Sequence, residues 1–317
     1  MTGFAGFDTS NYTTSAALWD ADGGTLCAEG QLLPVREGEL GVRQSDAVFH
    51  HVRQLPGVTK RVYDGRRTAI RAVGASEKPC SEDGSYMPCF LVGSGAAQEL
   101  ASVLGVPYYG FTHQQGHVMA ALYGADCTEW RTAPFLAFHV SGGTTDLLLV
   151  TPSGETVIVC RRVACSLDLK AGQLIDRIGG ALGLRFPAGP ALEEAALRAS
   201  GVYRCRPSVE NGCCHLSGVE NQCRDRIARG EPPEEVALFC LKSIEAALCR
   251  MVEAARETYG ELPLLCAGGV MSNGLLRRTL SERYGGRFAP PALSRDNAAG
   301  IAYLTYLKYT EERENGR

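Results

Sequence analysis

The segment Gly3–Glu29, GFAGFDTSNYTTSAALWDADGGTLCAE, sets the fold when it is laid beside Phe135–Val150, FLAFHVSGGTTDLLLV. In the first, an apolar run enters a Thr/Ser-rich turn, a second apolar run leaves it, and Asp-Ala-Asp-Gly-Gly closes a further turn. This reads as a strand–turn–strand unit. The second segment repeats the pattern around Ser-Gly-Gly-Thr. After each unit, helices alternate with short buried strands. SDAVFHHVRQLPGV reads as helix up to its proline, IRAVGAS as strand, CFLVGSGAAQELASVLG as a helix stopped by Gly105, and VPYYGF as strand. In the second half TVIVCRRVA reads as strand, DLKAGQLIDRIGGALG as helix and RFPAGPALEEAA as a Pro/Gly loop. A long helix from Pro233 to Tyr259, the strand LPLLCAGGV and a helix capped by Ser272 or Asn273 follow. The prediction is a duplicated α/β chain. Its first half spans residues 1–125 and its second 134–296, and a last helix at about 297–313 packs back on the first. Halves of this kind close on a ligand held between them.

Composition narrows the class. The chain has 317 residues, 45% hydrophobic and 21% charged, which is ordinary for a globular protein. No apolar run is long enough to span a bilayer, and Met1-Thr2-Gly3 leads straight into a strand without a signal-peptide pattern. A cytoplasmic protein without membrane partners is predicted. The thirteen cysteines are odd in number and contain no CxxC pair, so they read as reduced small hydrophobes. The cluster Cys213-Cys214-His215 with Cys223 matches no standard zinc spacing. A net charge of −3 speaks against strong unaided binding of nucleic acid. The basic run Lys60, Arg61, Arg66, Arg67 and Arg71 reads as a solvated helix end, with a phosphate-contacting edge as the alternative.

Two features carry chemistry. In FTHQQGHVMAALYG (Phe111–Gly124), Thr112 and Gln115 form a capping box that starts a helix at His113. His113 and His117 then lie one turn apart on one face, the spacing for metal capture, or else form a pair of partly buried or surface histidines. The frame resembles the H-E-x-x-H of metalloproteases, but Gln114 occupies the place of the general base, so that hydrolysis is excluded. The second feature is a set of three glycine- or hydroxyl-rich turns whose N–H groups and hydroxyls suit phosphate oxygens. The first holds Asp8, Ser10 and Asn11; Asp8 either lies near the metal or phosphate or caps the turn. The second holds Val140, Ser141, Gly142, Gly143 and Thr144. The third, CAGGVMSN, holds Gly268, Gly269 and Asn273 and suits a nucleotide's base or ribose. His139 reads as a packed core histidine, and His215 is assigned no chemistry. No catalytic base is assigned.

The three turns resemble the phosphate-1, phosphate-2 and adenosine elements of the actin-like ATPase (ASKHA) fold, two RNase H-like α/β subdomains with the ligand in the cleft between them. Within it, FDTS, HQQGH, VSGG, SLDLKAGQLIDRIGGALGL, FPAGP, AGGVMSN and SRDNAAGIAY occur in order along nearly the whole chain. Together they resemble the TsaD/Kae1/Gcp family, tRNA N6-adenosine threonylcarbamoyltransferases once named O-sialoglycoprotein endopeptidases. The resemblance implies that His113, His117 and Asp296 hold one iron or zinc ion that also touches the nucleotide phosphates. It also implies that Val140–Gly143 line the phosphate, that Asp176 and Gly189 hold the ribose, and that Asn273 lies near the adenine. The implied reaction moves a threonylcarbamoyl group from threonylcarbamoyl-AMP, made by a separate synthase, to N6 of adenosine 37 in tRNA, with accessory pathway proteins (TsaB- or TsaE-like) as partners. The chain departs from the family where Asn11-Tyr12-Thr13 replaces Cys-Asp-Glu and Thr144 replaces histidine. It departs again where Asp168-Leu169 replaces an Asp-Asp pair, Gln173 a glutamate and Asp176-Arg177 an Asp-Lys pair, which marks a divergent paralogue. The alternatives are a nucleotide- and metal-binding regulator without catalysis, or a transferase that carbamoylates another acceptor.

Overall fold

Strands β1 (Thr2–Thr9) and β2 (Thr13–Asp20) pair antiparallel around a short turn, with Thr9 opposite Thr14 at its tip. A third strand, β3 (Thr25–Leu32), extends the meander. On the other side of β1, β4 (Ala69–Lys78) and β5 (Tyr108–Thr112) add in parallel, giving the order β3-β2-β1-β4-β5. The computed structural model describes residues 1–34, 42–290 and 297–316. They fall into two units, Met1–Ala133 with Thr151–Arg161 and Ala292–Arg317, and Pro134–Val150 with Arg162–Pro291.

In the first unit both faces of the sheet are covered, which is why β1 and β2 are buried almost throughout rather than alternately. Ala5, Phe7, Ala16 and Leu18 pack with Leu55, Val58 and Val62 of α1 (Gln44–Tyr63) and Ala97 and Ala101 of α2 (Phe90–Leu104). Phe4, Ala17 and Trp19 project to the opposite face and meet Ala298 and Ala302 of α9 (Asn297–Asn315), with Tyr303, Tyr306 and Tyr309 around them. The sequence pattern ends α1 at its proline, but the helix runs on through Pro56 to Tyr63. The apolar stripe Ala47, His51, Leu55, Val58, Val62 continues across the proline, and its packing outweighs one missing hydrogen bond. Gly105 closes α2 in the left-handed conformation, as its sequence predicts.

A second sheet, most of it in the second unit, repeats the topology. Strands β6 (Phe135–Val140), β7 (Thr145–Ser153), β8 (Val157–Cys165), β11 (Leu264–Ala267) and β12 (Arg287–Phe288) form a sheet in the order β12-β11-β6-β7-β8. β6 and β7 are antiparallel, while β11 joins β6 in parallel, so each sheet is a hairpin-led sheet with parallel additions on one side. Helices α4 (Ala171–Ala181), α5 (Gly189–Ala196), α6 (Ser217–Ala228), α7 (Pro233–Tyr259) and α8 (Gly274–Tyr284) belong to this unit, with a small hairpin β9 (Ser208–Glu210) and β10 (Cys213–His215) before α6. Part of the segment read as a Pro/Gly loop is helix α5, which opens with Pro190 in its first turn, where a missing N–H costs nothing. The duplicated α/β architecture is therefore present as two sheets of one strand order. Among the described residues no helix is long and apolar enough to cross a membrane.

One contact fixes the element that matters most for the site. Helix α3 (His113–Gly124) crosses α9 where Gly300 lies against Gly116, so close that a Cβ on Gly300 would collide with the Gly116 carbonyl and lie 2.9 Å from the Ala120 nitrogen. We expect Gly300→Ala to cost about 1–3 kcal/mol through overpacking against backbone that cannot yield. Urea denaturation reads the loss, and an unchanged midpoint would refute the contact.

Candidate functional site

The first turn of α3 is built as its sequence predicts. The Thr112 hydroxyl accepts from the Gln115 N–H at 3.1 Å and the Gln115 side chain accepts from the Thr112 N–H at 2.7 Å, so the capping box places His113 at the first helical position. His113 and His117 follow on one face, both half-buried, with ring centroids 4.5 Å apart. His113 Nδ1 bonds Asp8 Oδ1 at 2.8 Å. Asp8, at the end of β1, is fully buried, and the Ser76 hydroxyl donates to the same oxygen. Ser76 reaches Asp8 because β4 runs parallel to β1 with Ala75 opposite Phe7. The sequence gives no local sign of this partner. Phe90 packs edge-on to His113. Asp296, the third expected ligand, lies outside the described residues, and among those described no three His, Cys, Asp or Glu residues stand close enough to hold a metal ion.

The turn after β1 carries Ser10 and Asn11. The Ser10 N–H donates to the Thr13 carbonyl at 3.2 Å, the Ser10 carbonyl lies 2.8 Å from His51 Nε2, and Asn11 Oδ1 accepts from Gln44 Nε2 at 2.7 Å. In the second unit, Val140 is buried at the end of β6 and Ser141–Thr144 make the turn. The Ser141 N–H donates to the Thr144 carbonyl at 2.8 Å, and Gly172 at the start of α4 donates to the Ser141 carbonyl at 3.2 Å. The Ala171 N–H donates to Thr145 Oγ1 at 2.9 Å. Gly142 and Gly143 are exposed and have nothing near a would-be Cβ, so a ligand can approach the backbone closely there, where the Gly143 N–H donates to Ser141 Oγ at 3.3 Å.

The third turn closes on the second. Gly268 has φ +100° and lies so near Val140 that a Cβ would strike the Val140 carbonyl, so only glycine fits. Gly269 begins the short 3-10 turn that follows. Asn273 caps α8, its Oδ1 accepting from Leu275 and Leu276 N–H at 3.1 and 3.2 Å. Asp176 Oδ1 accepts from the Ala188 N–H at 2.8 Å, tying α4 to the residue before Gly189. Glu193 Oε1 accepts from the Gly274 N–H at 2.7 Å and joins α5 to α8. The structure thus groups Asp8, His113 and His117, sets Ser10 and Asn11 in one turn, and joins the second and third turns at Val140–Gly268.

A family model, tRNA N6-adenosine threonylcarbamoyltransferase (TsaD), matches residues 35–303. The chain belongs to that family. Enzymes of that name from Aromatoleum aromaticum and Bacillus licheniformis are each 30% identical, the first over 98% of this chain and 92% of its own, the second over 83% and 78%. Among solved structures, T. kodakarensis HypF is similar in fold, with a TM-score of 0.61 at 14% identity. It is matched over 98% of this chain, which spans 48% of HypF. At that identity the likeness shows the fold alone, a duplicated actin-like one. In the Asp168-Leu169 pair, the aspartate has a definite structural role. Its carboxylate accepts from the N–H groups of Leu169 and Leu216 at 2.6 and 2.8 Å and from the Ser217 hydroxyl at 2.5 Å, pinning the loop before α4 to the start of α6. The cysteine cluster does not converge. Cys213 Sγ lies 3.9 Å from Cys165 Sγ, while Cys214 and Cys223 are buried, and all thirteen thiols are free.

Burial pushes the Asp168 carboxyl up, but the Ser217 hydroxyl and the Leu216, Leu169 and Ser217 N–H groups outweigh it and hold it at about 2, below the ordinary 3.8. A carboxylate held down in the folded state adds stability that is complete above the ordinary value and is lost as pH falls toward about 2. Asp168→Asn should therefore lower stability at pH 7 by at most about 2 kcal/mol. The gap from wild type should narrow between pH 4 and 2, as read by urea melts at each pH, and a constant gap would refute the role.

Proposed function

We propose that the protein transfers a threonylcarbamoyl group from threonylcarbamoyl-AMP to N6 of adenosine 37 in tRNA, using one iron or zinc ion held by His113, His117 and Asp296. The observation that carries this is the Asp8–His113 pair beside His117, within a chain of the threonylcarbamoyltransferase family. The donor set fits a metal. The Asp8 carboxylate engages His113 Nδ1, which fixes the ring and leaves Nε2 as the ligating nitrogen. Bound there, the ion would act as a Lewis acid on a phosphate or carbonyl oxygen of the substrate.

The chain's own residues supply the rest. The exposed backbone at Gly142 and Gly143 receives phosphate oxygens, in a turn held shut by the Ser141 N–H on the Thr144 carbonyl and with the first turn of α4 behind it. Asp176 has one carboxylate oxygen engaged by Ala188 and offers the other to a ribose hydroxyl. Asn273 uses its Oδ1 as a cap and offers its NH2 to an adenine ring. In the reaction, the N6 amine forms a bond to the carbamoyl carbon, the bond from that carbon to the phosphate oxygen breaks, and AMP departs. The N6 proton passes to solvent or the departing phosphate. A tRNA substrate is consistent with a cytoplasmic protein, and the net charge of −3 supports accessory pathway proteins that help to hold the RNA.

Complementation tests the reading. A strain depleted of its own threonylcarbamoyltransferase and given this gene should regain the modified nucleoside, detected by mass spectrometry of its tRNA, and His113→Ala should abolish the gain. Failure of the wild-type gene, with the protein soluble in the cell, would sink the assignment. On the purified protein, Asp8→Asn should weaken zinc or iron affinity by about 10–100-fold in a competition with a chromogenic chelator. Equal affinity would remove Asp8 from the metal's support.

A further inference from the structure

The Ser10–Asn11 turn is held from beneath by one face of α1. His51 is fully buried, with Nε2 2.8 Å from the Ser10 carbonyl and Nδ1 2.7 Å from Thr14 Oγ1. Gln44, seven residues earlier and so on the same helical face, gives its Nε2–H to Asn11 Oδ1 at 2.7 Å and accepts from the Cys89 N–H at 3.4 Å. A carbonyl can only accept, so His51 Nε2 carries a proton whatever the state of the other nitrogen. The peptide between Ser10 and Asn11 is planar, and its C=O and N–H point in opposite directions. Drawing the Ser10 carbonyl inward therefore sends the Asn11 N–H outward. Among the described residues that N–H has no backbone partner.

We propose that His51 is a positioning residue: by holding the Ser10 carbonyl it aims the Asn11 N–H at an anionic phosphate oxygen of the bound nucleotide, while Gln44 keeps the Asn11 side chain aside. The proposal rests on the nucleotide reading above and adds the residue that prepares this turn. His51 touches no substrate itself. Its burial suits a fixed geometric role, since the partners nearest to it are a carbonyl and a hydroxyl. The family's acidic residues are missing from this turn, which here holds Asn11-Tyr12-Thr13. An outward backbone donor at that place favours an anion, where a carboxylate would repel it.

The test uses the full chain with AMP as the probe, by calorimetry and by the Asn11 amide resonance in NMR spectra. His51→Leu removes the donor, whereas His51→Gln keeps an N–H able to reach the same carbonyl. AMP affinity should fall about tenfold in the leucine variant, the loss of one charge-assisted hydrogen bond, and stay within about threefold of wild type in the glutamine variant. The Asn11 resonance should shift on addition of AMP in wild type and His51→Gln, and should not shift in His51→Leu. A leucine variant that melts earlier yet binds AMP as wild type does would reduce His51 to packing and overturn the proposal. Should that variant not fold, the wild-type spectrum decides, since an Asn11 amide unmoved by saturating AMP overturns it equally. Wild-type protein with no affinity for AMP would instead remove the nucleotide reading itself.

Discussion

A carboxylate shut away from water needs partners that hold it, and Asp8 is such a group. It stands at the end of the central strand of the first sheet and takes hydrogen bonds from Ser76 on β4 and His113 on α3. Strand order, the register between β1 and β4, and the start of α3 must all be right for those bonds to form. The burial of Asp8 thus couples the fold of the first unit to the orientation of the His113 imidazole. Removing one partner would strand a buried charge, which makes the arrangement demanding, and that demand keeps the His113 ring in one place.

Close backbone approach does similar work with no charge at all. α3 lies against α9 because neither Gly116 nor Gly300 has a side chain at the crossing, and Gly268 brings the end of β11 onto the end of β6 for the same reason. In each unit the consequence is an element end, rather than an element middle, brought against its neighbour. Strands of parallel sheets deliver such ends together on one edge. The helices then hold the turns: α1 under Ser10–Asn11, and the first turn of α4 under Ser141–Thr145.

Much of this was legible in the chain. The two strand–turn–strand segments announce the duplication, Thr112 and Gln115 mark where α3 begins, Gly105 marks where α2 stops, and Pro233–Tyr259 is helical over the very residues read from its pattern. These features are local, so a window of a few residues contains the physics. What stayed hidden is tertiary. Ser76 becomes a partner of Asp8 only through strand register, and His51 meets Ser10 only once α1 is packed on the sheet. Pro56 looked like a stop because propensity speaks of isolated helices, whereas the apolar stripe on either side of it is held by a core. Helix α6 carries many charges and little apolar periodicity, so its stability comes from what it packs against, including the tie from Asp168 to Ser217.

The way the turns are held has a consequence for how this chain can diverge. The first two turns are each braced by a helix that comes after it in sequence, and the bracing atoms are few: Gln44 and His51 for the first, Gly172 and Ala171 for the second. Those positions must keep their register on the turn, while a tip residue such as the exposed Tyr12 carries little of the packing. Selection can then rewrite the tip of a turn, as at Asn11-Tyr12-Thr13, without dismantling the scaffold that presents it. A lineage built this way can vary small exchangeable loops on two copies of one inherited frame.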